Sequence, residues 1–230
     1  MQGKALDITT ETRHLDGVLR PALTICGLLA AVGVAGSLAL AGVGEGGPSH
    51  LLETYLVSFA FFLSLSLGAL FFVLLQHCTR AGWSVVARRI AEVLAANVWL
   101  MALLAVPVVL GMGHLYHWTD AAAAAHDPLL AGKTGFLNPG FFLARLVAYF
   151  AIWGLLASFL HRTSVAQDES GDPALTLRME RLSAPGMILF ALSLNFAAFD
   201  LLMSLDAHWF STIFGVYYFA ASVVCFFAVM

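Results

Sequence analysis

Residues 51–75 read LLETYLVSFAFFLSLSLGALFFVLL. Only one charged side chain, Glu53, interrupts them, and it stands near the start. A helix of that length rises about 37 Å, at about 1.5 Å per residue. The hydrocarbon core of a bilayer is about 30 Å thick. The run is continuous rather than alternating, so it predicts a membrane-crossing helix and not a barrel strand.

Five further runs of the same kind lie outward from it. They cover roughly Leu19–Val43, Ile90–Gly113, Gly140–Leu160, Ala184–Leu205 and Thr212–Met230. The expected fold is all-α: a polytopic integral membrane protein of about six spans. Residues 1–18 form an N-terminal segment and residues 19–230 the membrane domain. Two polar connections are long, Thr119–Pro139 and His161–Ser183.

Composition agrees. Hydrophobic residues make up 60% of the chain and charged residues 11%, against about 25% charged in an ordinary soluble domain. So few charges exclude a soluble globule, and the hydrophobicity excludes disorder. With 11 Lys+Arg against 14 Asp+Glu, a formal net charge of -3 and no basic stripe, nucleic acid is excluded as a partner. The 18 Phe, 5 Trp and 5 Tyr suit an exterior facing the lipid bilayer.

Basic residues orient the spans. Lys4, Arg13, Arg20, Arg80, Arg88, Arg89, Arg162, Arg178 and Arg181 fall on one side, and Lys133 alone on the other. The positive-inside rule then places the N-terminus in the cytoplasm and His114–Gly140 on the outer side. Pro21 and Pro185 read as first-turn prolines opening spans one and five. Pro107, inside span three, predicts a kink that frees a carbonyl near Leu103. Span six stays apolar up to Met230, which suggests a longer protein with more chain beyond it.

Cofactor patterns are few. Cys26, Cys78 and Cys225 form no Cys-x-x-Cys or Cys-x-x-Cys-His run, so neither an Fe–S motif nor covalent haem is expected in this chain. No zinc pattern occurs. The His residues lie at span boundaries, which leaves a haem b held by edge pairs as an alternative. Gly44-Glu45-Gly46-Gly47-Pro48 reads as a turn, not a phosphate loop.

Ionisable groups inside the spans are costly, about 2.5–3.5 kcal/mol each on insertion scales, and need partners. Arg145 and Asp200 lie at matching depth on consecutive antiparallel spans, about 8–10 Å below the outer surface. A buried pair is expected, serving either helix packing or a proton- or quinone-linked site. Asp206, His208, His114 and His117 would form an outer polar cluster, with Tyr149 and Asn195 extending it inward. Glu92 and Asn97, with Ser64 and Ser66, would form a separate path from the cytoplasm. No catalytic residue and no metal ligand set is assigned.

The stretch Phe199–Ala220 reads FDLLMSLDAHWFSTIFGVYYFA. It resembles the second large membrane subunit, the F subunit, of bacterial alternative complex III, a quinol:cytochrome c oxidoreductase in the polysulfide-reductase-like (NrfD-like) membrane family. His114-Leu115-Tyr116-His117-Trp118, Leu137-Asn138-Pro139-Gly140-Phe141-Phe142 with Arg145, Ser164-Val165-Ala166-Gln167-Asp168 and Arg181-Leu182-Ser183-Ala184-Pro185-Gly186 follow the family in order. The resemblance runs from Leu51 to the end. It implies about ten helices built on two four-helix bundles, so six spans are a departure. Where relatives often carry an acid followed by Pro before the His, this chain has Asp206-Ala207.

The resemblance further implies a cofactor-free subunit of a respiratory complex in the bacterial inner membrane, engaged in quinol binding or proton translocation. Haem and Fe–S clusters for electron transport would sit on partner membrane and peripheral subunits. Asp200, Asp206, His208 and Arg145 are the residues it carries over. The alternatives are a haem-b membrane anchor and a purely structural scaffold. A transporter built on inverted repeats lacks a convincing partner repeat.

Overall fold

Pro107 has no N–H to give, and the third apolar run is broken around it. The computed structural model, which describes residues 16–43, 47–120, 122 and 126–230, divides this run into four helical segments. They are α3 (Val85–Ala96), α4 (Val98–Leu104), α5 (Val106–Leu110) and α6 (Met112–Leu115). Pro107 leaves the Leu103 carbonyl without its usual donor, and one residue on, the Tyr55 hydroxyl donates to the Leu104 carbonyl at 2.6 Å.

The chain forms two compact units, Met1–Leu51 and Leu52–Met230. The first contains α1 (Asp16–Val43), which begins five residues before Pro21. Pro21 is therefore inside the helix and does not open it. Thr24 and Ser37 donate their hydroxyls to the carbonyls of Arg20 and Gly33 in their own helix. That satisfies both groups without outside partners, as a lipid setting requires. Lys4, Arg13, His14 and the Gly44–Gly46 part of the turn lie outside the described residues.

The second unit continues with α2 (Gly47–Cys78) and, after α6, α7 (Pro128–Lys133), α8 (Pro139–Ser170), α9 (Pro173–Leu201) and α10 (Phe214–Val229). Short 3₁₀ turns cover His117–Thr119 and Met203–Leu205. No strand occurs among the described residues.

The polar stretch His161–Ser183 is not a loop. α8 runs on to Ser170, α9 starts at Pro173, and only Gly171 and Asp172 separate them. The residues dictate this. Gly171 takes the left-handed conformation at φ 65 that ends a helix. Asp172 accepts the Ala174 N–H as an N-cap, and Pro173 fills the first turn. Pro185 consequently lies inside α9 and not at its start. Asn138-Pro139 and Asp127-Pro128 open α8 and α7 by the same device.

Contacts define the bundle. α3 and α4 meet α8 through Arg89–Asp168 and the Trp99 indole, which donates to Ser158 at 2.8 Å. α8 meets α9 through Trp153 Nε1, which donates to Ser193 at 2.8 Å. α9 closes on α2 through Phe71 and Phe190. Four segments, α2, α3–α5, α8 and α9, surround a core that includes Leu63, Leu67, Leu70, Ala95 and Trp153. α10 lies along α2, with Phe226 against Phe72 and the Tyr218 hydroxyl donating to the Ala60 carbonyl at 2.8 Å.

Five segments are long and apolar enough to cross a membrane: Gly17–Leu40, Ser49–Cys78, Val85–Leu110, Pro139–Ser170 and Pro173–Leu205. This makes the chain a membrane protein. The expected sixth span is helical, but α10 has 16 residues, short of the about 20 that crossing takes. In this antiparallel order, Arg80, Arg88, Arg89, Arg162, Arg178 and Arg181 share one end of the bundle, called here the basic end. α6, α7 and the starts of α8 and α10 lie at the opposite end.

Candidate functional site

Asp200 sits on the last turn of α9 and is 1% exposed. Three donors converge on its carboxylate. Arg145 reaches it from α8 with two parallel bonds, Nε to Oδ2 at 2.8 Å and Nη2 to Oδ1 at 2.7 Å. The Tyr149 hydroxyl, one turn deeper on α8, donates to Oδ2 at 2.7 Å. Forked, charge-assisted bonds of this kind are the strong class. The pairing of Arg145 with Asp200 and the place of Tyr149 follow the sequence reading.

The guanidinium is held from further sides. Its Nη1 donates to the Phe136 carbonyl at 3.0 Å. Its carbon lies 3.9 Å from the Phe136 ring centre and 4.2 Å from that of Phe141. Cation–π contact of this sort gains strength where water is excluded. Two further bonds close the end of α9: Ser204 donates to the Asp200 carbonyl at 2.5 Å, and the buried Tyr116 hydroxyl donates to the Leu201 carbonyl at 3.0 Å. Burial, followed by the nearby Asp200 charge, holds the Tyr116 phenol above the usual tyrosine range.

The outer polar cluster forms with different members than expected. His208 Nε2 pairs with Asp127 Oδ2 at 2.7 Å. Asp206 Oδ1 accepts the backbone N–H of His208 at 2.9 Å and of Trp209 at 3.3 Å. Lys133 Nζ donates to the Ala207 carbonyl at 2.6 Å. His114 and His117 are exposed and make no side-chain bond to this group among the described residues. The extended backbone at Tyr116 turns the chain between them and buries Tyr116 and Trp118 instead. Asn195 is also absent from the cluster, donating to the Ala191 carbonyl of its own helix.

Asp127 was missed in the sequence, although Asp-Pro before an apolar pair is an N-cap signal. Burial pushes its carboxyl up. The Leu129 and Leu130 N–H groups and His208 outweigh that and hold it below the usual carboxylate range. The sign follows: a lowered acid stabilises the fold above its ordinary value of about 3.9, and that contribution disappears as pH falls through the lowered one. Acidification through this range is expected to loosen α7 from the turn at His208, read as faster amide exchange over residues 127–133. Asp127→Asn should flatten the acid response. An acid limb identical in that variant would assign it elsewhere.

Beside the charged pair lies a cavity of about 270 Å³ lined by Phe136, Leu137, Phe199, Met203, Trp209 and Phe210, with Lys133, Ser204 and Asp206 as its polar members. Phe136 belongs to both places: its ring covers Arg145 and walls the cavity. Neither Phe136 nor the cavity was legible from spacing.

At the basic end, Glu92 is 1% exposed and faces Arg89 at 2.8 Å and Arg88 at 3.5 Å, with Ser164 beside it. Arg89 also bonds Asp168 of α8. The expected path through Ser64, Ser66 and Asn97 does not form. Ser64 donates to the Phe61 carbonyl within α2, and Asn97 stands exposed at the junction of α3 and α4. Asn97 keeps helical dihedrals, and five residues along a helix from Glu92 it falls on a different face. Among the described residues no three His, Cys, Asp or Glu converge as a metal site. No protein-family profile and no curated protein matches this chain.

Proposed function

We propose that the chain is a cofactor-free integral membrane subunit of a bacterial respiratory quinol:cytochrome c oxidoreductase. It would lie in the inner membrane with its basic end in the cytoplasm. Its opposite end would contact quinol and receive the protons that quinol releases. The resemblance of Phe199–Ala220 to the alternative complex III subunit supports this reading, as does the side bias of Lys and Arg.

The observation that carries it is the shared Phe136. An aromatic cavity wide enough for a ring opens directly against the buried, doubly hydrogen-bonded Arg145–Asp200 pair. A quinol ring among Phe136, Phe199 and Phe210 would place a hydroxyl toward Asp206 on the polar rim. Oxidation of quinol to quinone releases two electrons and two protons. The electrons pass to a redox centre on a partner subunit. Asp206 accepts one proton and stands next to His208 and Asp127, which lead to the surface, and the second proton passes to water at the polar rim. Arg145 and Asp200 fix the Phe136 wall and are positioning residues.

Purifying the tagged chain from its native membranes tests this. Redox subunits should co-purify, and the preparation should reduce cytochrome c with short-chain ubiquinol or menaquinol. Phe136→Ala and Asp206→Asn should each raise the KM for quinol about tenfold or more, and Asp206→Asn should also shift the pH profile. A preparation without redox partners, or unchanged quinol kinetics in both variants, would overturn the reading. Haem-b bands in a reduced-minus-oxidised spectrum of the isolated chain would replace it with the haem-anchor alternative.

A further inference from the structure

The basic end holds a second cavity, of about 390 Å³, whose walls include Gln76, His77, Arg80, Arg88, Asp168 and Glu180. That volume lies within the about 300–1,000 Å³ typical of ligand sites. Two of the lining side chains are almost fully buried, Gln76 at 5% and His77 at 2% exposed. Gln76 Oε1 and His77 Nε2 have no hydrogen-bond partner. Buried polar atoms are almost always bonded, so two orphans on one cavity wall mark a place where a ligand supplies the partners.

One wall is electropositive. Val85, the first residue of the 12-residue helix α3, lines the cavity. The α3 N-terminus has no side-chain cap, because Ser84 donates its hydroxyl backward to the Ala81 carbonyl. Its first-turn N–H groups therefore keep their attraction for an anion. Arg88 and Arg80 flank this point. Each pairs through Nε, with Glu92 at 3.5 Å and with Glu180 at 3.1 Å. Neither guanidinium makes any further hydrogen bond among the described residues.

Arg80 holds a backbone conformation unusual for its residue type. α2 ends in a Schellman turn, with Ala81 N–H bonding the Gln76 carbonyl at 3.0 Å and Arg80 N–H the His77 carbonyl at 3.3 Å. The residue at this place has φ 54, a conformation that glycine fills without strain. The arginine there bears some backbone strain, and its largely exposed side chain stands at the cavity.

The cavity also carries acids beside these bases, Glu180 against Arg80 and Asp168 against Arg89. Asp168 of α8 and Glu180 of α9 present carboxylates, and Gln76 Oε1 is a free acceptor. A ligand suited to both the bases and the acids carries a phosphate on one side and an N–H-bearing cation a short distance away. We propose that this cavity binds a phosphate ester with a primary ammonium group, the chemistry of an ethanolamine phospholipid headgroup. The phosphate lies toward Arg88, Arg80, His77 Nε2 and the α3 N–H groups. The ammonium lies toward Glu180, Asp168 and Gln76.

The position favours a lipid source. The cavity lies where the apolar stretches Ser49–Cys78 and Val85–Leu110 end. Trp83 and Val86, which flank the lining residues Gly82 and Val85, are 74% and 90% exposed. A Trp at the boundary of a span is an interfacial anchor, and apolar side chains there suit acyl chains.

Native mass spectrometry of the full chain in its detergent-extracted, delipidated assembly tests the proposal. It is titrated with phosphatidylethanolamine, phosphatidylcholine and phosphatidylglycerol of matched chains, and with soluble phosphoethanolamine. Phosphatidylethanolamine should be retained at least tenfold more tightly than the other two lipids. Arg80→Gly should lower that retention about tenfold without lowering the melting midpoint, since glycine fits the backbone there. Gln76→Leu should remove the preference for ethanolamine over choline. Competition by soluble phosphoethanolamine at equal concentration would identify a soluble ester as the source, and its failure would identify the lipid. Equal retention of the three lipids without binding of the soluble ester, or unchanged selectivity in both variants, overturns the proposal.

Discussion

Replacing Asp200 by alanine is expected to destabilise the protein by about 3–5 kcal/mol, the range for stranding one member of a buried ion pair. Asp200 is 1% exposed, and the Arg145 side chain is 10% exposed. Once the carboxylate is gone, the guanidinium keeps only the Phe136 carbonyl and two aromatic faces. Tyr149 loses its acceptor in the same step. Reversible unfolding in mixed micelles measures the effect. The double variant Arg145→Leu with Asp200→Leu should recover much of the loss, because two well-packed apolar side chains can replace a buried pair at little cost. The double-mutant cycle then isolates the coupling. A loss below about 1 kcal/mol in Asp200→Ala would mean that water reaches Arg145 and that the pair is not sealed. Asp200→Asn addresses chemistry separately. An assembled complex with unchanged turnover and proton release would confine the pair to structure.

This pair was legible in the sequence because a helix converts residue number into depth. Arg145 and Asp200 stand at matching distances from the ends of neighbouring antiparallel spans, and Tyr149 follows at one turn. Glu92 was legible as a buried acid for the same reason, but its partners were not. Arg88 and Arg89 precede it by four and three residues on the same face of α3, a spacing readable in principle. Asp168, which shares Arg89 with Glu92, lies in the polar connection His161–Ser183. The Gly171-Asp172-Pro173 signal that makes it helix is local and was available. Asp127 and Phe136 reach the opposite end through non-repeating backbone between α6 and α8, where spacing carries no geometry. His114 and His117 failed for the complementary reason: proximity to a span end fixes height in the membrane, not direction around the helix.

Gly68→Ala should separate α10 from α2, although it adds a single methyl group. A Cβ at Gly68 would stand closer than 3.0 Å to the Ser222 carbonyl oxygen and carbon and to the Phe226 Cβ. These are backbone atoms and a side-chain root, so no rotamer change makes room, and the helices must move apart. In membranes such close approach is itself the source of association, since lipid offers no hydrophobic drive between helices. The displacement would loosen Phe226 and Phe227 from Phe72 and stretch the Tyr218 bond to the Ala60 carbonyl. Overpacking typically costs about 1–3 kcal/mol, and a clash against backbone belongs at or beyond the upper end. Gly111→Ala is the control. Its Cβ would meet Leu52 Cδ1 at 2.5 Å, the tip of a flexible side chain that can turn away, so the loss should be smaller and recovered by Leu52→Ala. Cys225 on α10 is half-buried and reports the separation. With Cys26 and Cys78 replaced by serine, maleimide should label it several-fold faster in Gly68→Ala than in the parent, and at the parental rate in Gly111→Ala. Equal labelling and equal stability in Gly68→Ala would show that α10 is not held by this contact, and the aromatic rings and Tyr218 would then have to account for its position.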